Sequence, residues 1–409
     1  MLKLYGDGIH DDTLAIQELL DGGTGVVILP EPEKFYLISK PLEISSNTTL
    51  KLPRYATIRL KDGSNCVMLT NKKTPCKKRR LDDSHATRFF NFINSYVDDY
   101  SPEAICENIT VEGGIWDANN LNQQPNPIQT RDESIKEYFG YTMLFYAVKN
   151  LNITSLTYKD VINYCVCMDY VDGFTVNNIT FDFNGGNPHR INMDGIHLNG
   201  NCHNGVITNL QGACFDDLVA LNAEEGSRGP ITNIKINGIY AEGCHSAVRF
   251  LTVNQAVKNI TVENVYGTFY QYCIGFSKHY KGETTGYYEN INIKNLFATK
   301  AYRHPYLYKW FDSYVYPYVW IADEINIHDL TIDGIRRMEW NNNVCTIYVG
   351  KDSCVNKFTI NDAVTENFTS HPMPFIVNDG TIKLIKLSNV AVKGDEVLIN
   401  NNVINSLIM

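Results

Sequence analysis

Asn192-Met193-Asp194-Gly195-Ile196-His197-Leu198-Asn199 and Phe215-Asp216-Asp217-Leu218-Val219-Ala220-Leu221-Asn222 read as one rung of a stack written twice. The offset, Asp194 to Asp217, is 23 residues, and it pairs Ile196 with Val219, Leu198 with Leu221 and Asn199 with Asn222. Apolar alternation over so few positions predicts a strand. A fixed period of this size predicts a solenoid in which each strand lies on the one before.

The pattern extends both ways. Asn or another polar residue precedes β-branched alternation at Asn108-Ile109-Thr110-Val111, Asn152-Ile153-Thr154, Asn178-Ile179-Thr180, Asn233-Ile234, Asn259-Ile260-Thr261 and Asn290-Ile291. Isoleucines at 153, 179, 207, 234 and 260 give steps of 26, 28, 27 and 26. Period-two alternation rich in Ile, Val and Thr favours strands over helical repeats. An all-β fold is therefore expected, a single-stranded right-handed parallel β-helix. Asn side chains at one corner of successive coils can form a ladder, and Asn tolerates left-handed turns. The six N-x-[ST] sites follow from this turn-and-strand pattern rather than from glycosylation.

Residues 1–409 read as one β-helix domain, with 1–45 as cap and first strands. Asp11-Asp12-Thr13, then Leu14, Ile16, Leu19 and Leu20, predict a capped amphipathic helix closing the N-terminal end. Val26–Leu29 and Phe35–Ile38 are the first strands expected. Three stretches break the period: 71–92 with Lys77–Arg80, 118–140 with Pro125 and Pro127, and 302–320, an insertion dense in Tyr and Trp. Insertions of this kind map to loops on one face.

Composition narrows the function classes. A single compact core of 409 residues would be large, but a solenoid grows along its axis. The net charge of −9 argues against nucleic acid as partner, and no apolar run is long enough to cross a bilayer. The first residues lack a signal-peptide pattern, which places the protein in the cytoplasm if the chain is complete and outside the cell otherwise. The 11 cysteines are scattered, and Cys165 and Cys167 form C-x-C without a matching pair, so zinc is not expected and most thiols belong to the core. No metal or cofactor is called for.

The chemistry concentrates on the two rungs. Asp194 and Asp217 take equivalent positions and Asp216 adjoins Asp217. Paired carboxylates of this kind hydrolyse glycosidic bonds, one as acid and one as base or nucleophile. A carbohydrate is thus the expected substrate. Aligning Val219 with Val248 and Ile274 puts Ala220, Arg249 and Gly275 in one column behind His197, with the small residues leaving open floor. Arg249 suits a carboxylate or sulfate. His245 falls on the column of Asp216, and Lys278 lies one coil further. Asn192, His197, His245, Arg249 and Lys278 are the candidates for holding substrate; Glu224 and Glu225 are expected in a solvated loop. By strict alternation the Asp residues share parity with core residues, so the scheme needs a bend at the start of each rung.

Gly6-Asp7-Gly8-Ile9-His10-Asp11-Asp12-Thr13-Leu14-Ala15-Ile16-Gln17 resembles the opening signature of the pectate-lyase superfamily, and Asn108–Asp117 with the Asp rungs resembles glycoside hydrolase family 28, the polygalacturonases. The resemblance implies an inverting glycosidase in which Asn192 and Asp194 match an N-x-D motif and Asp216–Asp217 match an Asp pair. It further implies Asp217 as general acid, with Asp194 and Asp216 activating water, and Arg249 as the Arg of a substrate-binding R-x-K motif. Leu251 stands at that motif's Lys, and the family's Gly-His-Gly coil is missing, leaving His197 or His245 to replace its His. Competing readings are a β-eliminating lyase, a non-catalytic glycan-binding β-helix such as a virion spike, and an isomerase or transferase. A homo-oligomer is compatible with all of them.

Overall fold

The computed structural model describes residues 2–22, 25–72, 106–124, 140–183, 192–278, 286–302, 316–341 and 344–409. The Lys77–Arg80 run, Pro125 and Pro127, and Tyr306, Tyr308, Trp310, Phe311 and Tyr314 lie outside them. Two compact units result: residues 1–206 with 225–228, and residues 207–224 with 229–409.

Both units are runs of parallel β-helix. In the first, Leu50, Val111, Ile153 and Val176 pair rung upon rung and are fully buried. In the second, Ile234, Ile260, Ile291, Leu330, Phe358 and Ile385 form a longer column. A second column there runs Val219, Val248, Ile274, Val319, Ile347, Ile376 and Leu398. Within these columns an inward residue is covered by its neighbours on adjacent coils, each fully buried side chain contributing about 1.5–3 kcal/mol relative to exposure.

The corners carry the expected Asn ladders. Asn47, Asn108 and Asn150 all adopt φ near +60 (59, 56 and 60°), and their amides link at 2.7 and 2.9 Å. Asn233–Asn259–Asn290 and Asn237–Asn264–Asn295 repeat the device in the second unit. The step from Ile153 to Ile179 is not a rung, however, because Ile153 pairs with Val176. Asn178 sits at a different corner, its amide donating to Ser155. The N-I-T pattern marks a left-handed corner leading into a strand, and one coil holds more than one such corner.

The helix Thr13–Asp21 forms as predicted, with Ala15, Ile16 and Leu20 buried and Leu14 exposed. Asp12 does not cap it with its side chain; the carboxylate instead accepts from the Tyr5 and Gly6 N–H groups. The helix closes the strand Leu42–Ile44 through Gln17, whose amide takes both backbone groups of Glu43, at 2.8 and 3.1 Å. The 302–320 insertion ends earlier than predicted, since Val319–Ile321 is a strand in register with Ile274–Phe276. Among the described residues no helix is long and apolar enough to cross a membrane, and no cysteine is in a disulfide.

Candidate active site

Asp216 and Asp217 open a rung of the second unit, and the register brings two later coils to them. Asp217 pairs with Ser246 and Ser246 with Tyr272, one below another at the start of the strand. The Ser246 hydroxyl donates to Asp217 Oδ1, and the Tyr272 hydroxyl donates to the same oxygen at 3.1 Å. From the outward column, Arg249 reaches Asp217 Oδ2 at 3.5 Å, while its Nε donates to Ser277 at 3.0 Å. Asp217 is buried, and Arg249 of the outward column nonetheless reaches its carboxylate.

His245 lies against this group, with Nδ1 3.6 Å from Asp216, 4.0 Å from Asp217 and 3.1 Å from the Ser246 hydroxyl. Burial pushes its imidazole pKa down to about 4, outweighing the attraction of Asp217, so the ring is neutral at ordinary pH. Of the two histidines offered as substitutes for the missing coil, His245 is the one that meets the Asp pair. One ligand atom each from Asp216, Asp217 and His245 lies within 4.8 Å of the others, close enough to share a divalent cation. Arg249 and two hydroxyls already occupy Asp217, and an ion would have to displace them.

Gly275 is not open floor. The Tyr272 ring covers it, and a Cβ there would lie 2.5 Å from that ring. The missing side chain is what lets Tyr272 lie flat and reach Asp217. Gly275→Ala is expected to cost about 1–3 kcal/mol in overpacking and to match Tyr272→Phe in activity; thermal melting and glycan cleavage of the two variants check both. Beyond Tyr272 the outer face turns aromatic. Trp320 and Tyr348 continue the Arg249–Gly275 column, half-exposed. Tyr316 lies 4.4 Å from Trp320 and edge-on to Tyr272. Lys278 is not drawn to the acids and pairs with Glu324 instead.

In the first unit, Asp194 and His197 belong to a buried group. The His197 ring is wholly enclosed, with Nδ1 2.7 Å from Asp194 and Nε2 2.9 Å from Glu225 and 3.1 Å from Asn199 Oδ1. Tyr164 stacks on it at 3.9 Å. Burial opposes protonation, but Glu225 and Asp194 overcome it and hold the imidazole pKa at about 10. Folding stability from this proton is present below the unfolded value near 6.5 and is lost as pH rises through 10. His197 therefore cannot touch substrate as the sequence led us to expect. Asn192 occupies a left-handed turn, φ 52°, ahead of Asp194.

Glu224 and Glu225 are buried rather than solvated. Glu224 Oε1 accepts from the N–H groups of Val253, Asn254 and Gln255 and so ties down the turn after Arg249's strand. Ser246 and Tyr272 could have been found by carrying the Asp217 column two coils on. No sequence pattern points to Glu225.

Residues 104–299, just under half of the chain, match the model of glycosyl hydrolases family 28. Over that stretch the chain is similar to family 28. The family 28 match spans both groups just described. Its fold, the right-handed single-stranded parallel β-helix, is shared with solved structures of low identity. PfbA, a surface adhesin of Streptococcus pneumoniae, is 16% identical with a TM-score of 0.57, covering 98% of this chain and 91% of that one. The family 28 exopolygalacturonase of Yersinia enterocolitica is 13% identical with a TM-score of 0.56, over 98% and 76%. The polygalacturonase of Erwinia carotovora ssp. carotovora is 16% identical with a TM-score of 0.54, over 97% and 94%. No curated protein matches the chain in sequence.

Proposed function

We propose that this protein is a glycoside hydrolase that cleaves a polysaccharide or its oligosaccharides with inversion. The observation that carries the reading is the Asp216–Asp217 pair at the head of a rung, with His245 and Arg249 in reach, on a family 28 β-helix. Three donors converge on Asp217, an arrangement suited to a carboxylate that accepts a proton from water. Asp216 is more open, its side chain 16% exposed against 2% for Asp217. We therefore assign proton donation to Asp216 and water activation to Asp217, the reverse of the order implied by the resemblance. Asp194, in its N-x-D motif, is assigned to water activation as well. His245 is neutral and offers hydrogen bonds to a sugar hydroxyl. Trp320 and Tyr348 offer rings on which a sugar can stack.

The test is reducing-end release from pectic and other acidic and neutral glycans, with the anomer of the first product read by NMR. Release of the inverted anomer supports the proposal. Unsaturated products absorbing in the ultraviolet would replace it with a lyase, and binding without release with a glycan-binding protein. Trp320→Ala is expected to raise KM about 3–10-fold, the worth of one ring stack, with a smaller change in kcat; initial-rate kinetics check it.

A further inference from the structure

Both ring nitrogens of His197 face acceptors, one at Nδ1 and two at Nε2. Asp194 Oδ2 stands at Nδ1, and Glu225 Oε2 and Asn199 Oδ1 stand at Nε2. The Asn199 oxygen is fixed as the acceptor because its amide nitrogen donates to Asp169 at 3.2 Å and to Cys167 Sγ at 3.4 Å. A neutral imidazole satisfies one side of this arrangement only, so both nitrogens must carry protons. Tyr164 covers one face of the ring at 3.9 Å and 9°, as suits a cation over an aromatic face.

The second carboxylate is held as firmly as the first. Gly226 has φ +60°, and a Cβ on it would lie 1.8 Å from the Asp169 carboxylate. That close approach lets Ser227 donate its N–H to both oxygens of Asp169 at 3.1 Å, and Ser227 Oγ donate to Gly200 O at 3.0 Å. The Glu225–Arg228 turn is thereby fixed to the wall of the coil, with Glu225 aimed at His197.

We propose that His197 is a positioning residue, a buried imidazolium clamped between Glu225 and Asp194, which orients the Asp194 carboxylate and keeps it charged for its part in hydrolysis. The clause on hydrolysis rests on the function proposed above; the clamp itself does not. Among the described residues, facing groups that titrate or carry charge include Asp194 and Glu225 directly, Asp169 through Asn199, and Tyr164 on the ring face. One cation between two carboxylates, Glu225 and Asp194, explains why its proton is held so firmly against the cost of burial. In return the imidazolium stabilises the charged form of Asp194, since coupling between two titrating sites is mutual.

The experiment has two readouts. NMR of wild-type protein labelled with 15N-histidine should find both His197 ring nitrogens protonated at about pH 8, where an ordinary histidine is neutral. A neutral tautomer at that pH overturns the proposal, whatever the protein's activity. In kinetics, His197→Gln should lower kcat at least about tenfold with KM within about twofold, and should move the acid limb of the pH profile upward. A His197→Gln enzyme that merely yields less folded protein, with an unmoved pH profile, overturns the positioning role. Wild type that cleaves no glycan, with His197 still doubly protonated, refutes the hydrolase reading and leaves the clamp standing.

Discussion

Asp217→Asn should abolish glycan cleavage to within about a 10²–10⁴-fold loss in kcat, the usual worth of a general acid or base. The substitution keeps the shape of the side chain. It places an amide where two hydroxyls and a guanidinium now converge, so one face of the group becomes a donor against donors. Arg249 loses its carboxylate and keeps only Ser277. Asp216→Asn should fail differently. If Asp216 donates the proton, its variant retains cleavage of aryl glycosides whose leaving group needs no proton, whereas Asp217→Asn loses these too. Initial rates on both substrate types separate the roles. Full activity of Asp217→Asn on a glycan, with the fold intact, would remove the Asp rung from the chemistry.

A second large effect is expected far from the acids. Arg337 and Glu339 are both fully buried and joined at 2.9 Å. Arg337 also donates to the carbonyl of Val344 and the hydroxyl of Thr346, and its guanidinium lies over Tyr318. Glu339 further accepts from the N–H groups of Lys300 and Asn341. The Lys300 ammonium donates to the carbonyls of Gln271 and Tyr316. Glu339→Gln removes the carboxylate paired with Arg337 and leaves that cation buried, and should cost about 3–5 kcal/mol. Joint replacement, Arg337→Met with Glu339→Leu, should recover most of that, because it is the widowed charge that is costly. Denaturant unfolding of the three proteins decides it. Burial, with Arg337 next, pushes the Lys300 pKa down to about 7. The unfolded chain then binds more protons than the folded one between pH 7 and the free value near 10.4, so this group's contribution to stability rises with pH through that window. The deficit of Glu339→Gln should accordingly be larger at pH 6 than at pH 8.

Columns were legible in the sequence, and polar partnerships were not. Val219, Val248 and Ile274 share a face because side-chain direction alternates along any strand, so pattern alone aligns them and carries Arg249 and Gly275 along. The same logic erred from Ile153 to Ile179, where a corner residue resets the count. Which acid meets which cation depends on how corners fold. Glu225 enters the His197 group because Gly226 turns the chain against Asp169, a contact that no periodicity encodes. Tyr272 offered a cue, since it stands on the Asp217 column, but the ring lying over Gly275 follows from packing alone. Lys278, placed near the acids by coil count, turns to Glu324 in the adjoining turn.

Gln17 deserves reading as a traffic control on assembly. A parallel coil with an open edge recruits any strand that offers matching amides, and repeated recruitment makes a fibre. By binding both backbone groups of Glu43, one glutamine side chain imitates a strand without supplying a further edge to the next arrival. At that strand, growth of the stack stops at a single residue.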